Sequence, residues 1–488
     1  MNDLTASIGR HQTHSIGLGL PPCESYTVPD EARGDMSLDR TQTFLAVLVC
    51  LLGWSGAAEP ANAQILGYSG PSILTRGARP FGRGQGEPVR FRGYATLGAT
   101  YSSGLTSAAT DEKGDLFNQA SEGAFLGFGV YGSQRGRRSQ AAVSYSGSYI
   151  LFNNRRYYSG PQQSFGISYG SQLARRLNFF ISAAAAEHNQ VAGTTRNPFS
   201  TEQIAILDYS TEVFDSHMFG VSSMAGFSYQ KSARMQFSFG GGVHISQRRS
   251  KALVSSQGYS AMGEMSYAVS RRTSMGVGYQ WGQFFFKNNY GQSNYMSYAG
   301  NLSRVLNGRW SLGMSAGMYT TDSERVQTIL IDPVIAKLIG QTSTASIVRN
   351  KVNGVSASAG VTGAFRRNGV TFGYFRGIMP GNGVFLTSEG QSVTAAITHS
   401  GSQRWNVGAS SGYYRMKSLF DYTGRSLGGF ESYGGGAGFS YRLFSFVHFT
   451  ASGDLRHSET SSLRFLRNRD SVSVGLAFSP GELPLRLF

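Results

Sequence analysis

From Val89 onward, apolar and polar positions alternate with a period of two, the pattern of a strand with one apolar face. In the first such segment Val89, Phe91, Gly93, Ala95, Leu97, Ala99 and Tyr101 share one face, and Arg90, Arg92, Tyr94, Thr96, Gly98 and Thr100 share the other. Residues 139–152 and 235–246 repeat it, the latter with Met235, Phe237, Phe239, Val243 and Ile245 against Gln236, Ser238, Gly240, Gly242 and His244. About eighteen such segments recur, centred near 95, 127, 146, 169, 181, 224, 240, 263, 279, 298, 314, 359, 373, 396, 409, 437, 450 and 474. Each runs for about ten residues, the length of a tilted strand crossing a hydrocarbon layer.

The connections alternate between short ones (133–139, 173–177, 230–234, 269–274, 304–309, 366–369, 400–404, 442–445) and longer ones that include 103–121, 188–217 and 320–351. This predicts an all-β fold over residues 89–478, a transmembrane antiparallel up-and-down barrel of about 18 strands (16–18). The short turns are then periplasmic and the long loops extracellular. Asn307-Gly308 and Asn368-Gly369 supply hairpin-turn chemistry inside two of the short connections.

Side-chain size distinguishes a soluble barrel from a membrane one. A soluble barrel fills its interior with bulky apolar groups. Here the bulky face is opposed by small residues such as Asn406, Gly408, Ser410 and Gly412, or Ser432, Gly434, Gly436, Gly438 and Ser440. Those cannot pack the interior of so many strands, but they can line a water-filled lumen while the bulky face meets lipid. Trp310 and Trp405 open strands just after short turns and Trp281 lies near the far end of its own, as two interfacial aromatic belts predict.

The composition agrees, with 64 Gly, 25 Tyr and 32 Phe and only 15% charged residues in 488. The one long apolar run, Phe44 to Trp54, is too short to span a bilayer and is followed by Ala61-Asn62-Ala63. This reads as a signal peptide over 36–63, cleaved near Ala63-Gln64 and starting at Met36. Residues 1–35 then read as an over-extended gene start, 64–88 as a flexible periplasmic lead and 479–488 as a periplasmic tail. Both cysteines, Cys23 and Cys50, precede the cut, which excludes disulfides and thiolate chemistry from the mature chain.

The formal net charge is +16, and its distribution is one-sided. The short turns hold Arg135, Arg137, Arg138, Arg175, Arg176, Lys231, Arg234, Arg271, Arg272, Arg304, Arg309, Arg366, Arg367, Arg404 and Arg442, and no acidic residue. Acidic residues gather in the long loops, for example Asp111, Glu112, Asp115, Glu202, Asp322 and Glu324. Such a rim anchors the barrel by arginines reaching lipid phosphates, or attracts anionic solutes or a periplasmic partner. Nucleic acid is excluded as a partner by the compartment and by the lack of interleaved aromatics.

The loop 320–351 is unusually apolar, with Ile329, Leu330, Val334, Ile335, Leu338 and Ile339. Asp332-Pro333 and Gly340 frame a short helix. The expectation is a constriction folded over or into the lumen, together with the 188–217 loop and its Phe214; a surface cap or homo-oligomer contact is the alternative. Candidate lumen charges are Arg90, Arg92, Glu264 and Asp454, and inward aromatics include Tyr94, Phe180, Tyr295 and Phe375. No catalytic, metal or cofactor site emerges: His244-Ile245-Ser246 has phospholipase spacing without a following Asn, and the G-x-G-x-x-G at Gly127–Gly132 sits in mid-strand.

The architecture resembles the porin-like outer-membrane β-barrel proteins. The resemblance covers 89–478, and the terminal aromatic that assists assembly in that class is matched by Phe478 or Phe488. It implies the outer membrane of a Gram-negative-type cell, with outer-membrane lipid, the barrel assembly machinery and small polar solutes as partners. Passive diffusion of small hydrophilic solutes is the expected function, with a loop-plugged structural or export barrel as the alternative.

Overall fold

The structure, a computed structural model, describes residues 91–480 except 111–115, 154–158, 190–213, 215, 216, 251, 288–290, 331–342, 402, 403, 420, 423, 424, 427 and 462–464. The segments assigned to 1–35, 36–63 and 64–88 lie outside the described residues, as do Arg90, Phe488 and the cleavage site.

Among the described residues, alternation builds twenty strands. The first ten are β1 (Arg92–Thr110), β2 (Leu116–Arg135), β3 (Ser139–Phe152), β4 (Gly160–Ala174), β5 (Leu177–Asn189), β6 (His217–Gln230), β7 (Met235–Arg248), β8 (Ser256–Ala268), β9 (Thr273–Phe286) and β10 (Gly291–Val305). They continue as β11 (Trp310–Leu330), β12 (Ser343–Ala364), β13 (Asn368–Met379), β14 (Ser388–Ser400), β15 (Trp405–Ser418), β18 (Gly429–Arg442), β19 (Val447–Thr460) and β20 (Phe465–Phe478). A two-residue ladder, β16 (Asp421–Tyr422) with β17 (Arg425–Ser426), lies between β15 and β18. The other 18 strands form one sheet of antiparallel neighbours, and it closes where β1 pairs with β20 from Ala95↔Phe478 to Ser102↔Ser471. Every segment centre read from the sequence falls inside one of these 18 strands.

Two local expectations change. The connections 103–121 and 320–351 are largely strand among the described residues: β1 runs to Thr110 and β2 starts at Leu116, and β11 and β12 pair without a break from Trp310↔Gly363 to Leu330↔Ser343. The hairpin stands above the wall because its Thr, Val and Ile residues favour extension. At the other end, Gly308 has no positive φ. Its connection spans four residues, so no primed two-residue turn is required. Instead Asn307 Oδ1 accepts from Arg309 N (2.8 Å) and Trp310 N (3.0 Å), an Asx-type turn. Asn368-Gly369 opens β13 rather than forming the turn, and Asn368 Oδ1 contacts His399 Nδ1 at 2.5 Å.

The outer face is apolar around the whole perimeter, from Leu97, Leu126 and Phe128 through Phe239, Val277 and Tyr298 to Met318 and Leu455, all exposed. A soluble monomer rarely exposes a contiguous apolar patch above a few hundred Å². A continuous belt of this kind requires lipid. The described residues contain no helix long and apolar enough to cross a membrane, and the crossing is made by strands. With strands spaced about 4.8 Å apart and tilted by about 40°, the wall perimeter is about 110 Å.

Candidate functional site: the lumen and its mouth

Register places the inward set. Tyr298 faces Tyr279 and Met318 on the outside, so Asn301, Ser297 and Tyr295 of β10 point inward. The same alternation puts Asn406, Gly408, Ser410 and Gly412 of β15 inside, beside Ser440, Gly438, Gly436 and Gly434 of β18. Small residues leave these stretches of wall thin. Elsewhere glycines are covered by inward rings: Tyr94 over Gly129, Phe180 over Gly226, and Tyr295 over Gly282. His244 lies over Gly258 and meets Phe284 edge-on at 5.2 Å, a packing role for the residue with phospholipase spacing. Gly127–Gly132 lies within β2, as its mid-strand position requires.

Three of the expected lumen charges are described, and all three lie on the inward face. Arg92 pairs with Tyr131 at the short-turn end. Glu264 Oε1 accepts from Asn301 Nδ2 at 2.9 Å, and Asp454 Oδ1 accepts from Ser471 Oγ at 2.6 Å. They are not brought together: Glu264 is on β8 and Asp454 on β19.

Arginines that alternation alone does not single out dominate the upper wall. On β19 and β20, Arg456 faces Arg469, and Arg467 faces Ser458, on the same inward face as Asp454. Arg456 Nε donates to Ser432 Oγ at 2.9 Å, and its guanidinium stands 6.0 Å from the Phe430 ring. Arg467 Nε donates to Gly104 O at 2.6 Å, which ties the top of β20 to β1. Two guanidiniums directly opposite each other repel. Arg467 and Arg469 are buried in that wall, and Arg456 is partly exposed.

The mouth is narrowed by the connection 380–387, which the alternation pattern does not single out. The β12–β13 ladder ends at Ala357↔Arg376, although β12 continues upward against β11. Past that point β13 parts from β12 but stays paired with β14 to Met379↔Ser388, and the connection 380–387 that follows packs into the mouth. Phe385 there is buried with Tyr414 and Met416 of β15, Phe430 of β18, Phe214 and Leu253. On the opposite side, Ile378 and Leu386 pack against Phe284, Phe286 and Tyr295 of β9 and β10, with Val254. An apolar bridge thus spans part of the mouth between β9–β10 and β15–β18.

The bridge is held by its own backbone chemistry. Asn382 is fully buried, and its Oδ1 accepts from Phe385 N (3.0 Å) and Val384 N (3.3 Å). Gly381 has φ 73°, and a Cβ there would lie 1.8 Å from Leu386 O. Val254 N donates to Gly383 O at 2.9 Å, and Arg248 Nη1 to Val254 O at 2.6 Å, which fastens the bridge to the β7–β8 connection. Of the expected constriction, Phe214 takes part, Ile329 and Leu330 lie in β11, and Val334, Ile335, Leu338 and Ile339 lie outside the described residues.

The short-turn rim carries the expected cations. Arg137, Arg138, Arg175, Arg176, Arg271, Arg272, Arg366 and Arg367 are all exposed, all at one end of the barrel.

No family model matches the chain, and no curated protein matches it. Among solved structures, it is similar to the FrpB iron transporter from Neisseria meningitidis, at 10% identity and a TM-score of 0.37 over 75% of this chain and 62% of that one. It is similar also to the outer membrane protein opdK from Pseudomonas aeruginosa, at 11% identity and a TM-score of 0.38 over 80% of this chain and 98% of that one. A BenF-like porin from Pseudomonas fluorescens gives 10% identity and 0.38 over 80% and 98%.

Proposed function

We propose that the protein is an outer-membrane channel through which small hydrophilic solutes diffuse passively, with anions favoured over cations. The observation that carries this reading is the inward face of β14, β15 and β18, too small in side-chain volume to fill a lumen with a perimeter of about 110 Å. The anion preference rests on the inward arginines Arg456, Arg467 and Arg469, against the inward acids Glu264 and Asp454 among the described residues. No catalytic group is assigned. The test is reconstitution of purified protein in planar bilayers under a salt gradient. Discrete open-channel steps with a reversal potential on the chloride side are expected, and a cation-side potential would overturn the preference.

The second reading, a structural or export-associated barrel closed by its loops, is favoured by the apolar bridge from Ile378 to Phe385. Persistent silence in the same recordings, from protein shown to be folded, would establish it in place of the channel.

A further inference from the structure

The short-turn rim combines two properties that rarely coincide on a surface meant for water alone. Every short connection holds or adjoins arginine, as at Arg137, Arg175, Arg271, Arg272, Arg366 and Arg367, while acidic residues are absent from all of them. Between these cations stand large exposed apolar side chains in the same turns: Phe444 is 66% exposed, Phe446 54%, Val269 52% and Leu306 47%. Just above them lies the aromatic belt, where Trp310 meets Phe365 edge-on at 5.4 Å and the Arg309 guanidinium lies 6.0 Å from the Phe365 ring.

A purely aqueous contact explains the arginines and leaves Phe444 and Leu306 exposed without compensation. Insertion in hydrocarbon explains the apolar residues but not the charges. An interface that is apolar on one side and phosphate-rich on the other accommodates both: rings and aliphatic tips enter the acyl boundary while guanidiniums take phosphate oxygens in the forked geometry that suits them. The matching partner carries a fixed negative charge, because the short turns offer cations and no acids.

We infer that the short-turn rim is a binding annulus for anionic phospholipid headgroups of the leaflet it faces. The annulus is independent of conduction through the lumen. Its cations are spread around a perimeter of about 110 Å, so it selects the lipid shell as a whole rather than one lipid in one pocket.

The experiment uses the folded full-length chain in detergent, exposed to equal amounts of phosphatidylglycerol and phosphatidylcholine, with retained lipid counted by native mass spectrometry. Enrichment of phosphatidylglycerol by roughly threefold or more is expected, falling towards parity at high salt because exposed charges are screened. The variant Arg271→Gln/Arg272→Gln/Arg366→Gln/Arg367→Gln loses at least half of that enrichment, and the matching Arg→Lys variant keeps most of it. Folding of each is checked by the mobility shift of heated against unheated samples. Equal retention of both lipids by the unaltered protein overturns the inference and leaves an acidic periplasmic protein as the rim's occupant. Enrichment that survives in the folded glutamine variant also overturns it.

Discussion

Asn382 shows how much one buried side chain can organise. Its Oδ1 is the acceptor for two backbone N–H groups that would otherwise be stranded inside the mouth, each worth about 1–3 kcal/mol when left unpaired. Asn382→Ala should free the 380–387 connection, so chymotryptic cleavage at Phe385 of the folded barrel should rise by about tenfold or more. Unchanged cleavage would mean that the apolar cluster alone holds the bridge. In the wall, Arg456 of β19 and Arg469 of β20 stand opposite each other with like charge. Arg456→Gln/Arg469→Gln should move the reversal potential towards the cation side with little change in conductance; a potential that stays put would remove these two residues from any role in selectivity. Strict alternation is enough to place Arg92, Glu264 and Asp454 inside. It cannot do so for Arg467 and Arg469, because Asn468 and Asp470 make that stretch polar on both faces and erase the two-residue contrast.

Among the elements, the strands are legible because each has to satisfy lipid on one side and water on the other, which writes the contrast into every turn of the pleat. The constriction is not. Residues 380–387 read as an ordinary connection, Pro-Gly-Asn-Gly followed by a few apolar residues, and nothing local says that Phe385 meets Tyr414 and Phe430. That information resides in the departure of β13 from β12 beyond Arg376, a tertiary event. The apolar segment 320–351 is paired strand up to Leu330 and from Ser343, and 331–342 lie outside the described residues. Two deletions separate the candidates. Removing 381–386 should raise single-channel conductance clearly, whereas removing 333–340 should raise it only if that segment also narrows the pore. If the first deletion leaves conductance unaltered, the bridge does not limit the path.

For the molecule as a whole, closure is the decisive event, since an open sheet of 18 strands would leave two unpaired edges in lipid. The seam is compact. Gly98 of β1 faces Gly475 of β20, and the Phe125 ring from the neighbouring β2 lies across both glycines. A Cβ on Gly98 would fall 2.3 Å from Val474 O and 2.5 Å from the Phe125 Cζ, so the side chain cannot be accommodated unless both ring and backbone move. Gly98→Val should therefore cost about 1–3 kcal/mol and lower the temperature at which the barrel loses its compact electrophoretic mobility. Shortening the ring with Phe125→Ala removes one of the two obstructions and leaves the carbonyl in place. The double variant should recover part of the loss, with a coupling of about 0.5–3 kcal/mol between the two sites. Strict additivity would show that the seam admits the larger side chain by shifting β20 instead, which would also disturb Phe478 at the end of the same ladder and reduce the yield of assembled barrel.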